Sequence, residues 1–162
     1  MLGVAFALHG LRREGSACFA LPHGPDRVDA GRGIRDCADG SRIYFADVLP
    51  CNGGSVNCHV KVVDLATGVV TPLSTNAVDP RISPDGSLIV FRRGSGLGIM
   101  NSDGTNAHMI MTEGGSNLYP EWSTDGSRIY FTRIAFDGSE AVYSMDVTGG
   151  DLQTEVLPIL AP

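Results

Sequence analysis

Hydrophobic positions along this chain come in short β-branched and aromatic runs closed by polar, glycine-containing turns. No stretch longer than a few residues places apolar side chains at i, i+3, i+4 and i+7, the spacing of an amphipathic helix. The pattern therefore predicts an all-β protein of short strands joined by tight turns.

The runs repeat. Three segments align without gaps: Ala38-Asp39-Gly40-Ser41-Arg42-Ile43-Tyr44-Phe45-Ala46, Pro84-Asp85-Gly86-Ser87-Leu88-Ile89-Val90-Phe91-Arg92 and Thr124-Asp125-Gly126-Ser127-Arg128-Ile129-Tyr130-Phe131-Thr132. Their Asp-Gly pairs begin at 39, 85 and 125, giving periods of 46 and 40 residues, near the roughly 40–45 residues of a four-stranded propeller blade. Asp-Gly supplies the backbone freedom of a tight hairpin. Ile-Tyr-Phe and Ile-Val-Phe suit a strand buried on both faces. Upstream, Pro80-Arg81-Ile82-Ser83 and Pro120-Glu121-Trp122-Ser123 match as a preceding short strand, with proline expected as its first residue. Ala77–Asp79 and Ser116–Tyr119 are expected as the loops that feed these strands. Downstream, Val62 to Gly68, Ile99 to Gly104 and Ser144 to Gly150 each run into a glycine turn. A last strand then follows at Val69 to Leu73, Ala107 to Met111 and Gln153 to Leu157.

The predicted architecture is thus three four-stranded antiparallel blades, at residues 34–75, 76–115 and 116–162. Residues 1–33 are either part of a further blade, with Val4-Ala5-Phe6-Ala7 resembling Ile43-Tyr44-Phe45-Ala46, or a loosely ordered N-terminal arm.

The segment Pro120-Glu-Trp-Ser-Thr-Asp-Gly-Ser-Arg-Ile-Tyr-Phe, with Tyr143-Ser-Met-Asp beyond it, resembles the WD40-like Pro-Asp repeat of TolB-type propellers. Pro80-Arg-Ile-Ser-Pro-Asp-Gly-Ser-Leu-Ile-Val-Phe is a closer match still. The first copy departs from the motif where Cys37 and Ala38 replace Ser-Pro. The resemblance implies a β-propeller, a protein partner and a periplasmic or extracellular location. It does not by itself imply an activity, because one fold hosts many functions.

Propellers usually close with four to eight blades. Three and a half make an arc, expected to be part of a six- to eight-bladed ring, to be completed by further copies of the chain, or to be marginally stable alone. An open arc is expected to leave a face such as that of Trp122, Ile129 and Phe131 as an apolar patch of several hundred Å². Trp122 itself is expected to pack between blades.

Charge narrows the partners. The chain carries 12 basic and 18 acidic residues, a net charge of −6. Residues 1–33 hold four arginines against three acids, and the rest holds eight basic groups against fifteen acidic. Such a surface repels phosphate backbones, so nucleic acid is excluded as the expected ligand. No apolar run approaches the roughly 18 residues of a membrane span. In MLGVAFALHGLRR the positive charges follow the apolar octet, the reverse of a secretory signal, so none is read.

Little in the chain suggests catalysis. There is no Gly-x-Ser-x-Gly elbow, and Gly94-Ser95-Gly96-Leu97-Gly98 lacks the lysine and helix of a phosphate loop, so it reads as a hairpin. His9, His23, His59 and His108 are scattered, no Cys-x2-Cys pair occurs, and no metal or other cofactor is expected. Asn101 to Asn106 lacks the carboxylate series of a calcium loop, and Asp39, Asp85 and Asp125 read as turn formers. Cys51 and Cys58 flank six residues within one hairpin, a spacing compatible with a disulfide in an oxidising compartment.

Binding chemistry is expected at equivalent inner-strand positions, Arg35, Arg81 and Glu121, near the central channel, and at Tyr119 at the channel mouth. These sites fit a protein partner or a small ligand held by a non-catalytic scaffold. The alternative is the propeller of a larger enzyme, similar to the gating domain of prolyl-oligopeptidase-type serine peptidases.

Overall fold

In a computed structural model, residues 40–46 and 58–156 are described. They form eleven strands and no helix: β1 Arg42–Ala46, β2 His59–Asp64, β3 Val70–Thr75, β4 Val78–Ile82, β5 Leu88–Arg93, β6 Gly96–Asn101, β7 His108–Met111, β8 Ser116–Trp122, β9 Arg128–Ile134, β10 Glu140–Asp146 and β11 Gln153–Val156. Within each sheet every strand pairs antiparallel with the next, in the orders β1-β2-β3, β4-β5-β6-β7 and β8-β9-β10-β11. The last two are complete four-stranded blades. The innermost strand expected for the first sheet falls at residues 34–38, outside the described residues.

The Asp-Gly turns show why the motif repeats. Gly86 and Gly126 take φ of 77° and 72°, in the left-handed region that favours glycine. The Asp85 carboxylate accepts from the Ser83 hydroxyl at 2.5 Å, the Ser87 amide at 3.1 Å and the Ser87 hydroxyl at 2.9 Å. Ser83 Oγ in turn accepts from the Leu88 amide at 2.9 Å. Asp125 repeats the arrangement with Ser123, Ser127 and Arg128. Every polar position of Ser-x-Asp-Gly-Ser is therefore spent within its own turn. Asp64, Asp103, Asp137 and Asp146 organise the other turns in the same way.

These bonds hold the carboxylates below their ordinary range. The Ser123 hydroxyl, then the Ser127 amide and hydroxyl, bring Asp125 from 3.8 to about 2. Asp85, Asp103, Asp137 and Asp146 are lowered chiefly by hydroxyl donors, Asp64 chiefly by the Thr67 amide, and Asp151 chiefly by Arg128. Because these groups titrate lower when folded, their contribution to stability is present above the unfolded value of 3.8 and disappears as pH falls towards 2. Urea midpoints measured down this pH series are expected to fall steeply, and Asp125→Asn is expected to flatten that fall. An acid limb unchanged by Asp125→Asn contradicts the assignment.

Two cores join the three sheets. Tyr44, Val60, Ala77, Ile82, Ile89, Phe91 and Met100 bind the first sheet to the second. Val90, Leu97, Ile129, Phe131 and Met145 bind the second to the third, with Trp122 and Tyr143 packed against them. In β5, successive side chains point to opposite faces, so Ile89 and Phe91 enter one core and Val90 the other. All three are fully buried, as their β-branched and aromatic run predicts.

Two expectations need correction. First, the face of Trp122, Ile129 and Phe131 is covered by the second sheet. Among the described residues, the opposite face of β9 and β10 carries polar as well as apolar side chains. Where the second sheet pairs Val90 with Ile99, both buried, the third pairs Tyr130, 36% exposed, with Ser144. Ser144 Oγ accepts from Arg128 Nε at 2.8 Å and donates to Glu155 Oε1 at 2.5 Å. Arg128 also reaches Asp151 at 2.7 Å. Polar side chains there satisfy one another and do not require an apolar neighbour.

Second, Pro80 and Pro120 lie inside β4 and β8, not at their first residues. Pairing jumps from Val78↔Arg92 to Arg81↔Val90, and from Leu118↔Thr132 to Glu121↔Tyr130. Two residues oppose one in each case, which is a β-bulge. The bulge takes the proline, which has no N–H, out of the ladder. Ala77–Asp79 and Ser116–Tyr119, expected as loops, accordingly belong largely to these strands.

Candidate functional site

The bulge shapes the inner strands. Asp79 and Tyr119, the residues before the two prolines, both adopt left-handed backbone, with φ of 52° and 53°. For residues with a Cβ this conformation costs about 1–3 kcal/mol. In β4 the shape serves packing: Asp79 is buried and its Oδ2 accepts from Arg92 Nε at 2.8 Å. In β8 the same shape presents Tyr119, 57% exposed.

Arg81 and Glu121 are brought together. Arg81 Nε donates to Glu121 Oε1 at 2.7 Å, across from β4 to β8. Arg81 is anchored further by its own Nη1, which donates to Pro80 O at 2.8 Å. Trp122 Nε1 donates to Arg81 O at 2.9 Å, so the tryptophan packs between sheets and also fastens the strand that carries the arginine. The Arg81 side chain is 12% exposed and that of Glu121 52%. A half-solvated pair of this kind contributes about 0–1 kcal/mol to stability, so it fixes geometry more than it holds the fold together. What results is a charged pair on adjoining inner strands, with an exposed phenol two residues from its carboxylate. The arrangement offers stacking and charged hydrogen bonds to a ligand.

Arg35 and Cys51 lie outside the described residues. Cys58 is disulfide-bonded, and the other cysteines, Cys18, Cys37 and Cys51, are all outside the described residues. Only Gly94 and Ser95 form the tip of the β5–β6 hairpin, whereas Gly96, Leu97 and Gly98, read from the sequence as part of the same loop, are paired in β6. Among the described residues no group of three or more His, Cys, Asp or Glu side chains converges at metal-binding distance, and no helix is long and apolar enough to cross a membrane.

Sequence reading missed Asn117 and Arg133. Asn117 is fully buried at the start of β8, and its Nδ2 donates to the carbonyls of Ser95 at 3.0 Å, Glu113 at 3.2 Å and Gly115 at 3.4 Å. Its Oδ1 accepts from Arg133 Nε at 2.8 Å. The Arg133 guanidinium lies 5.4 Å from the Phe131 ring centroid and 4.7 Å from that of Tyr143. The signal was a second repeat, Phe91-Arg92-Arg93 and Phe131-Thr132-Arg133, since Arg93 likewise lies over Phe91, at 5.1 Å, and reaches Ser74 Oγ at 3.1 Å. These residues link neighbouring sheets and so set the positions of the inner strands.

No protein-family profile and no curated protein matches the chain. Solved structures do. A protein described as a TolB from Agrobacterium tumefaciens superposes with a TM-score of 0.61 at 22% identity, over 72% of this chain and 46% of its own. The β-propeller domain of the Trilobed protease from Pyrococcus furiosus gives 0.55 at 16% identity, over 81% and 43%. The fold is that of a β-propeller. An acylaminoacyl peptidase from Pyrococcus horikoshii also superposes, with a TM-score of 0.59 at 16% identity, over 80% of this chain and 25% of the peptidase. The chain thus spans less than half of each of these proteins, and at such identities the likeness is one of fold.

Proposed function

We propose that the chain is a non-catalytic propeller scaffold that binds a protein or small ligand at the channel end of its inner strands. The observation that carries this reading is Tyr119, an exposed aromatic held in strained backbone two residues before Glu121 of the Arg81–Glu121 pair. Backbone strain of this kind concentrates at sites of function, and at the aligned Asp79 the same conformation is matched by a buried ion pair. The disulfide at Cys58 supports an oxidising, periplasmic or extracellular setting.

The test is capture of ligands from the periplasm or medium of the source cells by the intact chain and by its Arg81→Ala/Tyr119→Ala variant. A ligand retained by the parent and lost from the variant is the expected result. An identical bound set for both overturns the reading.

A second reading is favoured by the peptidase match: the blades are part of the propeller of a larger serine peptidase. A coding frame that continues beyond Pro162 into a hydrolase domain with a Gly-x-Ser-x-Gly elbow supports it, and a stop codon there removes it.

A further inference from the structure

The β9–β10 hairpin carries an exposed aromatic side chain that the fold does not use. Phe136 is 93% exposed, yet it stands on a well-made turn. Ala135 N donates to Ser139 O at 2.8 Å, Gly138 N to Ala135 O at 3.0 Å, and Asp137 Oδ1 accepts from both the amide and the hydroxyl of Ser139 at 2.9 and 2.7 Å. The side chain is therefore presented by ordered backbone, so a partner that covers it has little loop entropy to overcome. The corresponding β5–β6 tip is shorter and occupied: Ser95 O accepts from the Asn117 amide at 2.8 Å and from its side chain.

Among the described residues, the exposed charge at this end is one-sided. Its arginines are engaged within the fold: Arg92 with Asp79, Arg93 over Phe91 and on Ser74, Arg133 with Asn117 and over two rings. The chain's only lysine, Lys61, lies in β2. Among the described residues, the exposed charges of the β9–β10 hairpin and of the link that leads into β8 are Glu113, Asp137 and Glu140. Glu113 belongs to this surface because the link after it is pressed against the hairpin: at Gly115, with φ of 113°, a Cβ would collide with the Ile134 carbonyl oxygen.

We propose that this tip docks a basic polypeptide segment, with Phe136 against an apolar side chain of the partner and Glu113, Asp137 and Glu140 facing its lysines or arginines. An exposed aromatic anchor supplies affinity in such contacts, and the charges set the choice of partner. The inference rests on the reading of the chain as a binding scaffold, but it places the contact on the hairpin tip and names the partner's chemistry.

The test is selection of a displayed library of random short peptides on the intact chain, followed by affinity measurement of the recovered peptides. Enrichment of peptides that pair Lys or Arg with apolar residues is expected. Phe136→Ala should weaken their binding about tenfold or more, Glu113→Gln and Glu140→Gln roughly two- to fivefold each, and rising salt should weaken it further. Recovered peptides that depend on Phe136 but are neutral or acidic overturn the charge assignment. Peptides that depend on Tyr119 and not on Phe136 overturn the proposed site and leave the scaffold reading standing. Recovery of no peptide overturns the docking of a polypeptide here, while ligand capture that depends on Arg81 and Tyr119 still decides the scaffold reading separately.

Discussion

Asn117→Leu is expected to destabilise the chain by about 3–5 kcal/mol, with the loss read as a lower urea midpoint. Leucine repeats the branched heavy-atom skeleton of asparagine in a larger volume, so none of the effect comes from a cavity. It comes from polar groups deprived of partners. Arg133 Nε loses its acceptor at 2.8 Å, and the carbonyls of Ser95, Glu113 and Gly115 lose the donor they share. A guanidinium cannot escape the penalty by losing its proton, as a lysine would. Asn117→Asp should fall between, since a carboxylate pairs with Arg133 but donates to none of the three carbonyls. Removing both partners in Asn117→Leu/Arg133→Met should recover part of the loss, because the uncompensated charge is then gone. A cost below about 1 kcal/mol for Asn117→Leu, or strict additivity in the double variant, contradicts the role assigned to this pair.

The local parts of this fold were legible because they are self-contained. Asp85 and Asp125 bond within two residues of themselves, so the turn is written entirely in Ser-x-Asp-Gly-Ser and repeats wherever those letters do. The run Ile89-Val90-Phe91 likewise announces a strand buried on both faces, whereas Ile129-Tyr130-Phe131, read the same way, leaves Tyr130 exposed. The inner strands were harder to read. A proline before a short apolar run looks like a strand start, and only the pairing across β5 and β9 shows that a bulge lets the strand continue through it.

Coverage of a face was not legible either. The alternation in β9 says that Ile129 and Phe131 share a side, but not which neighbour lies there, because that depends on sheet packing and not on local sequence. At the candidate site, the equivalence of positions 81 and 121 was visible from the repeat, whereas their 2.7 Å contact was not. Asn117 escaped notice for the opposite reason. Its aligned residue is Ala77, so it belongs to no repeat, and its partners come from three separate segments.

Phe131→Ala tests how far the sheets fold as one unit. The side chain is buried between the second and third sheets, its ring stacks on Tyr143 at 5.9 Å with 20° between planes, and Arg133 lies over it. Truncation of a buried phenylalanine costs about 3–5 kcal/mol, a large share of the roughly 5–15 kcal/mol that stabilises a domain. The position of the loss matters as much as its size. In a repeat array, stability is the sum of intrinsic repeat terms and nearest-neighbour interfaces, and this substitution strikes one interface while leaving the Phe91 core intact. Amide exchange is therefore expected to rise first in β8 to β11, with β4 to β7 keeping their protection. Equal loss of protection in both sheets means that the arc unfolds as a single cooperative unit. The same truncation at the exposed Phe136 is expected to change stability by less than about 0.5 kcal/mol, so any loss of peptide binding in that variant reports on the docking surface and not on the fold.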